Sequence, residues 1–309
     1  MSDLNAASQP IQIDQALWRS RLAGMVSPAF HTRTILTVGV GAGSYTVEKL
    51  VRLWPAHVKN VDPDVVELQN LVRTGYAMRD VGQPKVVGLE RRLAEINPMV
   101  RVSSYAVDLL TMSEDQLAEL FAGVDLVVAG TDRFEAQAMV NTLAVRHRVP
   151  AVFVGIHAGA LGGRVCWYMP GETGCYRCMA PERYEEAERA RVAGEVGALN
   201  LEGAAGALPD CAFIDAVAFK IMVAILERGQ DSQYGRFYEQ MKHRNDVIVR
   251  CDPGYAWGGA VWDALLADLP TSPKRYAEEL KRDALFAMDS IWMVGGRGCG
   301  GCGGSARVP

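Results

Sequence analysis

The sequence predicts an α/β domain built on a doubly wound, mostly parallel sheet. Short, nearly all-apolar runs recur along the first half of the chain and alternate with segments of helical period. That is the pattern of strands buried on both faces beneath crossover helices. Several of these runs end in glycines or an acid, at Gly39 to Gly43, Asp62 and Asp132. Ligands of open parallel sheets bind beyond the carboxyl ends of the strands, so these are the positions to watch. The 309 residues, 22% charged and 49% hydrophobic, suit one or two ordinary globular domains. A net charge of −4 gives no basic footprint for nucleic acid.

In chain order, "RTILTVGVGAG" (33–43) reads as a β-rich run ending in a glycine turn, and "VKNVD" (58–62) as a shorter strand ending in an acid. "KVVGLERRLAEIN" (85–97) repeats apolar residues at helical spacing, and Pro98 stops it. "VRVSSYAV" alternates like a strand, and Ser113 with Gln116 in "SEDQLAELF" has the spacing of a helix capping box. "VDLVVAGTD" (124–132) and "PAVFVGI" (150–156) are further strands. Beyond Cys178, the charged and then Gly/Ala-rich stretch to residue 210 suits a mobile crossover loop. "CAFIDAVAFKIMVAILERG" (211–229), apolar nearly all round, is expected to be a buried helix. Residues 230–298 show no clear period. The expected organisation is an N-terminal helical segment (1–32), a core (33–178), and a C-terminal portion (179–309) packed on the same domain. Residues 1–15 are polar with no charged-then-apolar leader pattern, and no run of 18 apolar residues occurs. A cytoplasmic protein without membrane contact is the expectation.

"GVGAGS" (39–44) follows a strand. Lacking side chains at Gly39, Gly41 and Gly43, the backbone can turn tightly and approach a phosphate, although a ligand-free strand-to-helix turn has the same composition. Asp62 lies at a suitable distance beyond Gly39 to accept from a ribose hydroxyl, or else forms the turn before Pro63. Asn70, Arg73 and Lys85 follow. Fixed cations of this kind suit a nucleoside triphosphate attacked at its α-phosphorus, whereas alone each would be a solvated surface charge. Cys175 and Cys178 form one C-x-x-C pair, Cys299 and Cys302 another. Two such pairs, with glycines at the turns, supply the thiolates of a closed tetrahedral zinc site, while a redox reading gives the second pair no role. Of the other cysteines, Cys166 and Cys251 read as strand residues. Cys211 stands where the loop meets the apolar helix, as a small buried residue or a thiol activated by a helix N-terminus.

The strings "VDPDVVELQNLVR", "VGQPK", "GTDR" and "GCYRCM", in this order, resemble the ThiF/MoeB family of adenylyltransferases, relatives of ubiquitin-activating enzymes. The similarity runs from about residue 15 to Cys178 and resumes over the apolar helix and the terminal cysteine pair. It implies a Rossmann-like, doubly wound sheet with a zinc-clasped C-terminal portion. The implied cofactors are ATP, Mg2+ and structural Zn2+. Asp62 would hold the ATP ribose, with Asp64 beside it among the cofactor-binding residues; Asn70, Arg73 and Lys85 would surround the triphosphate; Asp132 would bind magnesium. The resemblance also implies a homodimer, with Arg19, or Arg21 as second choice, reaching the neighbour's nucleotide. The reaction implied is attack of a C-terminal glycine carboxylate of a ubiquitin-like or sulfur-carrier protein ending in Gly-Gly on the α-phosphate, giving an acyl-adenylate and pyrophosphate. Cys211 is the candidate for a thioester in those relatives that form one. Two departures stand out: Ala42 and Ser44 interrupt the glycine run, and Arg133 replaces the usual Asn. They keep open a nucleotide-binding scaffold without turnover, beside the alternative of adenylating a peptide or nucleoside carboxylate.

Overall fold

The computed structural model describes residues 13–41, 43–194, 206–252, 287–291, 299 and 302. Five parallel strands lie in the order β3-β2-β1-β4-β5: β1 (Thr34–Val38), β2 (His57–Val61), β3 (Arg101–Tyr105), β4 (Leu126–Ala129) and β5 (Ala151–Ile156). Antiparallel strands β6 (Gly162–Tyr168), β7 (Asp246–Arg250) and β8 (Ala287–Ile291) extend the sheet beyond β5. The chain steps outward from β1 to β3, then returns to the other side of β1 as β4. The order therefore reverses between β1 and β4, where a crevice opens at the strand ends.

The helices are α1 (Gln15–Ser20), α2 (Ser44–Leu53), α3 (Lys85–Ile96), α4 (Glu114–Phe121), α5 (Phe134–His147), α6 (Tyr176–Met179), α7 (Pro181–Ala193), α8 (Leu208–Leu226) and α9 (Gln233–Met241). Neighbouring residues of β1 serve opposite faces, as the pleat requires. Leu36 packs with Leu120 of α4 and Leu143 of α5, whereas Ile35 packs with Ile214 and Met222 of α8. Both residues are fully buried, which is why β1 reads as a continuous apolar run. The predicted capping box of α4 forms: Gln116 N donates to Ser113 Oγ and Ser113 N to Gln116 Oε1. Lys59, a buried charge on β2, donates from Nζ to the carbonyls of Leu120 (2.8 Å) and Ala122 (3.1 Å), closing the C-terminus of α4.

Three expectations change. The charged stretch after Cys178 is helical over α7, with Pro181 at its start and Gly194 in the left-handed region at its end. No α7 residue is buried, so the segment lacks the apolar stripe that betrays a helix in sequence. Residues 195–205 of the expected crossover loop lie outside the described residues, as do 253–286 and 292–298. Within 230–298, α9, β7 and β8 are ordered elements, and β7 joins the main sheet. Cys166 is on β6 as expected, but Cys251 stands one residue past β7. Among the described residues no helix is long and apolar enough to cross a membrane.

Candidate active site

A cavity of about 500 Å³ opens at the carboxyl ends of β1, β2, β4 and β5. Gly39, directly after β1, has φ +85°, and a Cβ there would lie 2.7 Å from Thr131 N. The two loops flanking the switch point thus touch backbone to backbone, and only glycine fits. A Cβ on Gly43 would lie 2.9 Å from Gly39 O, whereas one on Gly41 would meet only Lys85 Nζ, at 3.9 Å. Gly41 therefore faces the lysine across the cavity, beside the N-terminus of α2, where backbone N–H groups favour an anion. Ala42 lies outside the described residues. Ser44, which interrupts the glycine run, is fully buried and does not line the cavity; its Oγ accepts from Gly75 N at 3.1 Å. That departure props the loop behind Arg73.

Asp62 sits at the end of β2, 4% exposed. Oδ2 accepts from Val40 N (2.8 Å) and Oδ1 from Asp64 N (2.9 Å). Burial pushes its carboxyl above the usual range, against the pull of Lys85 and these two N–H groups. Each oxygen keeps a second lone pair for a ligand hydroxyl. Lys85 Nζ pairs with Asp64 Oδ2 at 2.7 Å; the lysine is largely buried and the aspartate 62% exposed. An exposed partner holds a lysine weakly, so this contact can yield to a phosphate. Asn70 and Arg73 line the same wall; Asn70 Oδ1 accepts from Glu67 N and closes the turn Leu68–Val72.

Asp132 is exposed to the cavity, and among the described residues it makes no ion pair. The neighbouring Arg133 turns instead to Asp108, Nη1 to Oδ2 at 2.7 Å. Burial pushes the Asp108 carboxyl up, but Arg133 and Leu110 N outweigh it and hold it below its ordinary value. The Asp132 carboxylate is thereby left to act alone, and a hard oxygen donor at a strand end suits magnesium. Asp62, Asp64, Asn70, Arg73, Lys85, Asp132 and the three glycines all border one cavity. Arg19 does not border it, and its guanidinium lies over the Trp54 ring, 5.2 Å from the centroid. Cys211, in the first turn of α8, borders the cavity but is 4% exposed. Burial pushes its thiol up, with Arg73 offsetting only part, so the helix N-terminus does not activate it.

The cavity also runs over β5 and β6, past residues without a sequence signal of their own. Arg164 on β6 forks onto Asp246, with Nε 3.0 Å from both oxygens. His157, after β5, is held below its usual pKa by burial, with Arg164 and Arg183 adding to the effect. Gln137 of α5 joins Thr131 to Tyr176 and Arg183. Arg183 belongs to α7, which sequence reading left as loop.

The two cysteine pairs meet. The four Sγ atoms lie within 4.8 Å of one another, with 4.0 Å between Cys175 and Cys178, 3.7 Å between Cys175 and Cys299, and 3.6 Å between Cys178 and Cys302. Zinc–sulfur bonds of about 2.3 Å in a tetrahedron separate the sulfurs by about 3.8 Å, so the set fits zinc. The Cys175 thiol is pulled well below its ordinary pKa, chiefly by the hydrogen bond from Cys178 and further by Asn141 and Cys299, as a metal ligand requires. Four thiolates leave no open coordination position.

A model of the ThiF family matches residues 28–246. The sulfur carrier protein adenylyltransferase of Thermus thermophilus is 37% identical over 156 residues, covering 48% of this chain and 56% of that protein. Ubiquitin-like modifier-activating enzyme 5 of Oryza sativa subsp. japonica is 29% identical over 232 residues, 59% of this chain and 55% of its own. The chain thus spans about half the length of the relatives it matches. Among solved structures, E. coli MccB with ATP superposes with a TM-score of 0.61 over 89% of this chain and 68% of that one, at 18% identity. PaaA does so with a TM-score of 0.58 over 80% and 83%, at 15% identity. At such identity these two likenesses are of fold. The family match runs from the turn before β1 to the first residue of β7, taking in every loop that lines the cavity, and by that match the chain belongs to the ThiF family.

Proposed function

We propose that the protein is an ATP-dependent adenylyltransferase that activates the C-terminal glycine carboxylate of a small ubiquitin-like or sulfur-carrier protein. The observation that supports this is the meeting of Asp62, Arg73, Lys85 and Asp132 in one cavity at the sheet's switch point. Asp62 accepts the ribose hydroxyls on its free lone pairs. Lys85 leaves Asp64 for the phosphates and, with Arg73 and the N-terminus of α2, offsets their charge. Asp132 would hold magnesium, which would supply further neutralisation of the phosphates. The substrate carboxylate oxygen bonds to the α-phosphorus as the bond to the bridging oxygen of pyrophosphate breaks. No base is needed because the carboxylate is already ionised, and positioning and charge neutralisation carry the acceleration. The acceptor tail enters along β5 and β6, beside Phe153, His157 and Arg183. Zinc in the four-cysteine site stays out of the chemistry.

The names of the relatives favour a carrier protein over other carboxylates. We also propose a homodimer: Val65, Leu68, Val72 and Met78, on the segment after β2, are 47%, 59%, 64% and 69% exposed. An apolar face of this kind beside the site asks for cover, and Arg19 would act from the neighbouring subunit. The test is ATP–pyrophosphate exchange, which should require magnesium and an added carrier ending in Gly-Gly. Exchange with a free peptide but with no such carrier would reassign the substrate, and ATP binding without any exchange would leave a scaffold.

A further inference from the structure

We infer that Gln137 and Tyr176 are positioning residues that couple occupancy of the four-cysteine site to nucleotide binding at the Asp132 loop. The inference rests on the nucleotide reading proposed above. Gln137 is 3% exposed. Its Nε2 donates to Thr131 O at 2.6 Å, and its Oε1 accepts from Tyr176 Oη at 2.8 Å and from Arg183 Nη1 at 2.5 Å. A carbonyl can only accept and a guanidinium can only donate, so the amide has one permitted orientation. Arg183 Nη1 also donates to Tyr176 Oη at 2.7 Å, which leaves the phenolic proton for Gln137. Gln137 Oε1 thus takes two donors, one from the cysteine turn and one from α7, and loss of either leaves it still paired.

The two ends of this chain are the two sites. Tyr176 lies inside the C-x-x-C turn, between Cys175 and Cys178, where Cys178 N donates to Cys175 O at 2.9 Å. Its N–H donates to Asn141 Oδ1 at 2.8 Å, and its ring stacks on Phe153 with centroids 4.3 Å apart. The phenol therefore sits where the cysteine turn puts it. At the other end, Thr131 precedes Asp132, and its backbone lies against Gly39 so closely that a methyl group could not be inserted. The loop is gripped between Gln137 and the nucleotide turn, with no slack to absorb a shift from the cysteine side. Binding free energies coupled in this way are reciprocal, so nucleotide must hold the metal as much as metal holds the nucleotide.

The test loads the full-length protein with Co2+ and follows its transfer to a chelator by the loss of cobalt–thiolate absorption, with and without saturating MgATP. In the wild type MgATP should slow transfer about tenfold, within the usual range of coupling between sites. In Tyr176→Phe, which keeps the ring stack and deletes one hydroxyl, the protection should fall below about twofold while the starting cobalt spectrum and the melting temperature stay those of the wild type. Gln137→Met should lose the protection too, at a lower melting temperature because Thr131 O loses its side-chain donor, and if it does not fold, Tyr176→Phe carries the comparison alone. Equal protection in wild type and Tyr176→Phe would overturn the coupling, as would no protection in a wild type that binds MgATP. A wild type that binds no MgATP at all would take down the nucleotide reading and this inference with it.

Discussion

Replacing Gly39 by alanine combines two costs that the alanine variants of Gly24 and Gly43 carry singly. The added methyl would meet Thr131 N at 2.7 Å where ordinary contact begins at 3.4 Å, so β1's turn or the Thr131 loop must give by about 0.7 Å. Gly39 also has φ +85°, which strains any side chain. Gly24, with φ +76° and nothing within 4 Å, carries the strain alone. Gly43, helical at φ −63° but 2.9 Å from Gly39 O, carries the clash alone. Left-handed strain should cost Gly24→Ala about 1 kcal/mol, overpacking should cost Gly43→Ala about 1–3 kcal/mol, and Gly39→Ala, which carries both, should lose about 2–4 kcal/mol. Urea unfolding measures these losses. Titration calorimetry should show MgATP affinity falling for Gly39→Ala and Gly43→Ala but not for Gly24→Ala. If Gly39→Ala is no less stable than Gly24→Ala and binds MgATP like the wild type, the argument that the two loops meet through that glycine is wrong.

Asp132→Asn should leave the urea midpoint unchanged, since the side chain is exposed, yet reduce magnesium-dependent pyrophosphate exchange at least about 100-fold; exchange near the wild-type rate would remove Asp132 from its role. Lys85→Met should cost less than about 1 kcal/mol of stability, its partner being exposed, while raising the KM for ATP, and an unchanged KM would count against it. His157 and His57 are both held below the ordinary histidine value, by burial first in each case. As pH falls below about 6.5 the unfolded chain takes up protons that the folded chain refuses, so stability should decline toward the folded-state values and recover above 6.5. His157→Gln should flatten that slope between pH 5 and 7, and an identical slope would refute the assignment. Metal analysis should find one zinc per chain, lost in Cys175→Ser; less than half a zinc in the wild type would rule out the clasp.

What could be read in the sequence was local chemistry at the ends of elements. β1, β2, β4 and β5 announce themselves because their residues are largely buried, Asp62 directly follows β2, and Asp132 stands three residues past β4. The capping box of α4 closes within four residues, as such signals do. The cysteine spacing was sufficient to predict a cluster, because two C-x-x-C pairs together point first to one metal site. Gln137, Tyr176 and Arg183 were invisible for the opposite reason. Their polar atoms meet across 39 and 46 residues, and no local pattern distinguishes them from other helical side chains. Helix α7 escaped because none of its residues is fully buried and only Tyr184 and Ala187 pack on the core, too few to leave an apolar period. The thiol of Cys211 misleads in sequence because proximity to a helix N-terminus is visible there and burial is not.

The serine that breaks the glycine run has a consequence for how variation at this site should be read. Ser44 Oγ receives Gly75 N, and a Cβ at residue 75 would come within 2.5 Å of Glu48 Oε1. Restoring glycine at 44 would leave a buried N–H without an acceptor, a penalty of about 1–3 kcal/mol that no gain in turn flexibility obviously returns. Positions 44 and 75 therefore form one character and not two. A relative with glycine at the first position should show a different support for the loop behind the residue equivalent to Arg73.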